Sequence, residues 1–304
     1  MPSREGFSLI SQAYSPGKLA PVQLVIDTKG KEVAIESELK KNTKIGAISQ
    51  PQSGKIHENL KVYHVNFAIN PYSPEAMNEI PKFHKAAEDA LMKTGITDVH
   101  SRVWIAGQTA TQYDTMITSN KDSSLIIPII IGLISLLLVV YLRSITAMLY
   151  LMATVILSFA SALGLGWLII HHIMGAEAIQ GAIPLYSFVF LVALGEDYNI
   201  FMISRIWKKR KTMPLKQAIR EGVQETSRVI TSAGVILAVT FAVLATLPIQ
   251  VLVQFGLITA LGVLMDTFIV RPFLVPAITA LLGRFAFWPS KIQIAEEQTN
   301  QIDS

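Results

Sequence analysis

The hydrophobic pattern divides the chain near residue 122. Before it, apolar positions come in short alternating runs separated by polar stretches. After it they run almost without interruption. Alternation over Pro21–Asp27 predicts a strand, as does the short run Lys44–Ser49. Pro51-Gln-Ser-Gly54 reads as a turn cluster. Lys61–Ile69 alternates most regularly and predicts another strand, and Asp98–Ala106 a last one. Between them lie a polar helix over Lys31–Lys41 and an amphipathic helix from about Pro74 to Lys93. Its apolar positions Met77, Ile80, Phe83, Ala87 and Leu91 recur at three and four. Pro81 lies inside that helix and is expected to kink or divide it. The order is β-α-β-β-α-β, the ferredoxin-like arrangement, so residues 1–122 are expected to form an α+β domain. Thr109–Lys121 is expected to lead as a polar helix into the apolar part.

Five long apolar segments follow, at about 124–142, 145–170, 182–203, 229–247 and 251–282. Roughly 20 residues span the hydrocarbon of a bilayer, so the first four are single crossings. The fifth is longer and is interrupted by Asp266, Arg271 and Pro272. It is expected to be one long helix kinked before Pro272, with a span plus an interfacial helix as the alternative. Residues 123–284 thus form an all-α transmembrane bundle of five helices, followed by a tail over 285–304. Within the connection between the third and fourth segments, Leu215, Ala218, Ile219, Gly222 and Val223 share a face opposite Lys216, Arg220, Glu221 and Glu225. This predicts a separate amphipathic helix over 213–227 at the membrane surface.

Composition agrees with this division. The chain has 304 residues, 51% hydrophobic and 16% charged, with a net charge of +4 and a mean hydropathy of +0.44. An integral membrane protein is expected. With no cysteine, thiolate nucleophiles and Cys-ligated metals are excluded. No phosphate loop, nucleophile–base arrangement or metal cluster stands out, so no enzyme, cofactor or metal is expected. His171-His172 lacks a third ligand nearby and reads as an interfacial loop. The basic run Lys208-Lys-Arg-Lys211 fits anionic lipid, not nucleic acid.

The distribution of Lys and Arg sets an expected orientation. The connection from Arg205 to Arg228 is basic and should be cytoplasmic, whereas 171–181 and 247–250 carry no Lys or Arg. Five crossings then place residues 1–122 outside and the C-terminus inside. The opening residues carry no apolar leader, so a preceding part of the protein, or a split gene, is expected to supply the first crossing.

The feature hardest to place in lipid is Leu191-Val-Ala-Leu-Gly-Glu-Asp-Tyr-Asn-Ile-Phe201. An Asp at the centre of a membrane helix costs roughly 2.5–3.5 kcal/mol on insertion scales, and such residues usually mark ion or proton paths. Asp197 is expected to be buried, with Tyr198 able to donate a hydrogen bond to its ionised form. Glu196 is either a second acid or a residue facing headgroups. Thr231 and Ser232 either hydrogen-bond towards Asp197 or pack against a neighbouring helix. Asp266 and Arg271 either pair, complete the relay, or leave Arg271 to reach the membrane surface. In the first domain Tyr63, Phe67, Tyr72 and Phe83 are better placed as core than as a substrate path.

Five stretches in order resemble one family: Ile105-Ala-Gly-Gln-Thr-Ala-Thr-Gln-Tyr-Asp114, Tyr141-Leu-Arg-Ser144, Leu194–Phe201 with Ser204-Arg205, Val229-Ile-Thr-Ser-Ala-Gly234, and Asp266–Pro276. Together they resemble the second half of an MMPL-type transporter of the RND superfamily. The resemblance implies a porter domain outside the membrane over residues 1–122 and crossings eight to twelve after it. It further implies an Asp-Tyr proton relay at Asp197 and Tyr198 that faces an equivalent pair in a first half. The implied activity is export of hydrophobic or lipid-like molecules driven by proton entry. The implied partners are membrane lipids, such a substrate, and the N-terminal half or another subunit. An RND-fold accessory of secretion or membrane assembly, or an inactive fragment, is the alternative.

Overall fold

The computed structural model describes residues 6, 9–10, 13–14, 16–41, 44–54, 56–176 and 178–289. From residue 290 the expected tail lies outside the described residues. Two compact units meet between Thr118 and Ser119.

The first unit is built on an antiparallel sheet. Its strands are β1 (Val22–Asp27), β2 (Ile45–Ile48), β3 (Gln52–Ser53), β4 (Leu60–Phe67) and β5 (Val103–Ala106). The order is β2-β4-β1-β5, with β3 also paired to β4. This is the ferredoxin-like order expected from the alternation. β1 pairs β4 through Val22↔Val65 and Leu24↔Tyr63, so their inward side chains fall on one face. That face, with Val22, Leu24, Ile26, Tyr63, Val65 and Phe67, is covered by α1 (Ile35–Leu39) and α3 (Ile80–Lys93).

Pro81 divides the expected helix in two. α2 (Pro74–Met77) is capped by Ser73, whose Oγ accepts from the Ala76 amide, and Pro81 then sits in the first turn of α3, where its missing N–H is no loss. The four expected aromatic residues include three core members. Phe67 and Phe83 stack at 5.1 Å, and Tyr63 is buried with them. The expected turn at 51–54 carries a two-residue strand, because β4 is long enough to pair beyond β2 and offers Val62 and Lys61 as partners.

The second unit is all helical. Among the described residues, five helices are long and apolar enough to cross a membrane. They are α4 (Gln108–Leu142), α5 (Ile145–His172), α6 (Ile183–Lys209), α7 (Leu215–Leu244) and a composite fifth. The expected surface helix 213–227 is not separate. It runs straight into the apolar part of α7, because neither Gly nor Pro interrupts the stretch between Val223 and Val229. The fifth consists of α8 (Gln250–Met265), a π-helical stretch Asp266–Leu274, and α9 (Val275–Leu282). Pro272 lies inside the π stretch. Lacking an N–H, it cannot supply the α-type bond to residue 268, and the ladder loosens there.

Small residues set the close approaches. A Cβ on Gly256 would lie 2.5 Å from the Phe241 carbonyl oxygen, and one on Gly234 would meet the Thr267 side chain at 2.2 Å. α7 packs this closely against α8 at Gly256, and against the π stretch at Gly234, only because these positions are bare.

Candidate functional site

The polar centre of the helical unit is assembled by α6 and the π stretch. In α6 the face packed against other helices carries Leu191, Val192, Gly195, Asn199, Met202 and Ile203. Successive helical residues point about 100° apart, so the three polar residues at 196–198 cannot share an environment. Glu196 falls on the packed face and is 3% exposed. Tyr198 is half-buried. Asp197 falls on the uncovered face, along the line of Tyr186, Ala193, Arg205 and Lys208.

This corrects the expected burial of Asp197. Within this chain its side chain is exposed, and it makes no hydrogen bond or ion pair among the described residues. The sequence marked the right turn of the helix, but the interior position there belongs to its neighbour.

Asp266 and Arg271, both buried and joined as an ion pair, lie near enough to Glu196 to interact with it electrostatically. They are five residues apart. On an α-helix that spacing separates two side chains by roughly 140°. The π winding brings residues five apart into hydrogen-bond register, as in the bond from the Val275 amide to the Val270 carbonyl. The pairing alternative for these two residues is therefore the one realised. Arg271 does not reach the membrane surface. Its guanidinium lies 4.4 Å from the centre of the Tyr198 ring, a cation–π contact within the usual range.

Asp266 also lies against the α6 backbone, its Oδ2 3.7 Å from where a Gly195 Cβ would be. Thr231 borders a cavity of about 20 Å³ together with Thr267 and Arg271. Ser232 is exposed, and its hydroxyl donates to the Val229 carbonyl in its own helix at 3.1 Å. Neither hydroxyl is bonded to Asp197. Elsewhere, the His171 ring stacks on Trp167 at 4.9 Å, and no group of three metal-ligating side chains occurs among the described residues.

Sequence reading missed two members of this centre. Asn199 is fully buried beside Glu196, and its placement three residues on, on the same face, is a helical-period signal that was available. The π register was not, because no residue type codes for it apart from Pro272.

A model of the MMPL family matches residues 56–300, most of the chain. The chain belongs to the MMPL family. Among relatives, this MMPL chain is 58% identical to the apo-petrobactin exporter of Bacillus anthracis over 304 residues, which is all of the chain and 41% of the exporter. It is 35% identical to the "probable transport protein MmpL12" of Mycobacterium tuberculosis over 76% of the chain and 20% of that protein. It is 34% identical to the "probable transport protein MmpL10" of Mycobacterium leprae over 75% of the chain and 22% of that protein. The chain thus spans less than half the length of these relatives.

Proposed function

We propose that this MMPL chain acts as the C-terminal half of a membrane exporter driven by the proton-motive force. In this reading the five helices cross the cell membrane, with residues 1–122 outside as a porter-like domain, and with 213–227 and the C-terminus on the cytoplasmic side. Asp197 and Tyr198 relay the proton against a matching pair supplied by an N-terminal half. The observation that carries the reading is the match of this whole chain to 41% of a protein named as an exporter, joined to a carboxylate at mid-helix on the uncovered face of α6. Such a carboxylate is costly against lipid and is offset when a partner covers it.

For the cargo, the family resemblance implies lipid-like or hydrophobic molecules. The identity of 58% to the apo-petrobactin exporter favours apo-petrobactin as a second candidate. Both are tested by measuring each compound in the medium after deletion of the gene that encodes this chain.

The relay is tested by Asp197→Asn with the N-terminal half supplied. Export is expected to fall to the level of the deletion while membrane insertion persists. Export at the wild-type rate by that variant rules the relay out. Loss of protein secretion rather than small-molecule export on deletion would instead support the accessory role.

A further inference from the structure

Glu196 is the buried ionisable group that the relay at Asp197 leaves without a task. It is 3% exposed, and neither carboxylate oxygen has a hydrogen-bond partner. Beside it Asn199 is fully buried, and its side-chain oxygen and nitrogen are likewise unpartnered. Asp266 and Arg271 form an ion pair that interacts electrostatically with Glu196. Counting formal charges, two carboxylates and one guanidinium leave one excess negative charge in the interior. Asp266 is matched by Arg271, so the excess belongs to Glu196. A buried charge without a partner is the costly state, and one bound cation removes it.

The chemistry of the surroundings selects the cation. An ionised carboxylate only accepts hydrogen bonds, whereas a protonated one also donates. The Asn199 amide carries one acceptor and one donor group, so it complements the acid form with both atoms and the ionised form with only one. Asn199 is also the only amide side chain in the apolar run of α6.

No other titratable group competes for this role among the described residues. α8 carries none. α5 carries Tyr150, whose hydroxyl accepts from Thr279 at 3.1 Å, and two histidines in its last turn. The titratable residues of α7 all precede its apolar part. Those of α4 are Tyr113, Asp114, Lys121 and Asp122, all before its apolar part, and Tyr141 near its C-terminal end. On α6 itself Asp197 points away and Tyr198 lies against Arg271.

We propose that Glu196 is a proton-binding site in its own right, holding one exchangeable proton beside the Asp266–Arg271 pair and distinct from Asp197. Binding is the addition of one solvent proton to the carboxylate, with no other reactant. A cavity of about 20 Å³ beside Arg271 and Thr267 has room for a water molecule next to the ion pair. This inference adds a second carboxyl to the proposed relay and does not depend on transport being observed.

The test is the infrared carbonyl-stretch band of a protonated carboxyl, recorded on the whole chain in lipid vesicles at neutral pH. The band is expected in the wild type and in Asp197→Asn, and is expected to be absent in Glu196→Gln. A wild type without the band, a band that survives Glu196→Gln, or a band lost on Asp197→Asn overturns the proposal. Should Glu196→Gln fail to insert, Glu196→Asp replaces it: the band is then expected to shift in frequency, and an unshifted band counts against the site. Spectra in sodium and choline buffers complete the set, and a band abolished by sodium assigns the charge balance to a metal cation instead. An export assay plays no part in this readout, so the site and the transport reading can fail separately.

Discussion

Single residues decide the chemistry in both units, and they do so by helical phase and by charge neighbours. The turn at 196–198 offers three polar groups, and the packed face of α6 selects one of them. In the sheet unit the corresponding node is Asp98. Its carboxylate accepts from Arg102 Nε at 2.9 Å and Nη2 at 2.6 Å, and from Lys29 Nζ at 3.0 Å. Arg102 first, and Lys29 after it, hold this carboxyl well below the usual carboxylate range. A group whose folded-state value is depressed stabilises the fold above its unfolded value, about 3.9 for Asp, and that stabilisation is lost as pH falls further. Asp98 is half exposed, so solvent screening keeps the effect small. Hydrogen-exchange protection factors on β1 and β5, corrected for the intrinsic pH dependence of amide exchange, are expected to fall as pH drops below about 4. In Asp98→Asn the exchange is expected to be faster at neutral pH and to lose part of that acid dependence.

At the scale of elements, close backbone approach separates positions that look alike in sequence. Gly256→Ala places a methyl 2.5 Å from a backbone oxygen, which cannot move aside as a side chain can. The expected cost is about 1–3 kcal/mol, read as a lower thermal unfolding midpoint. Gly132→Ala meets nothing within 4 Å and is expected to be neutral or to stabilise α4 by about 0.5–1 kcal/mol through helix propensity. Strand alternation and helical period made the sheet order and the five apolar helices legible, and Pro81 marked the break between α2 and α3. The continuity of α7 was not legible, because an amphipathic stretch beside an apolar one looks like two helices whenever a change of surroundings is read as a boundary. The inward turn of Glu196 was hidden for a related reason. A run of three polar residues gives no phase until the neighbouring helices fix which side is covered.

For the whole molecule, the proposed orientation can be mapped directly, since the chain has no cysteine and any single introduced thiol is unambiguous. Ser53→Cys, at an exposed position in the sheet unit, is expected to react with a membrane-impermeant maleimide on intact cells. Lys211→Cys, exposed after α6, is expected to react only after permeabilisation. The reverse pattern would invert the topology. One property of the fifth membrane helix extends over most of its length. Thr259, Val263, Thr267, Arg271, Val275 and Thr279 are all buried, a strict interval of four. In an unbroken α-helix each such step precesses by about 40°, and the inner seam would wind away from its neighbours. The slack introduced at Asp266–Leu274 straightens that seam. Restoring ordinary winding there would therefore reach well past the Asp266–Arg271 contact: it would turn every side chain beyond Leu274 towards a different neighbour.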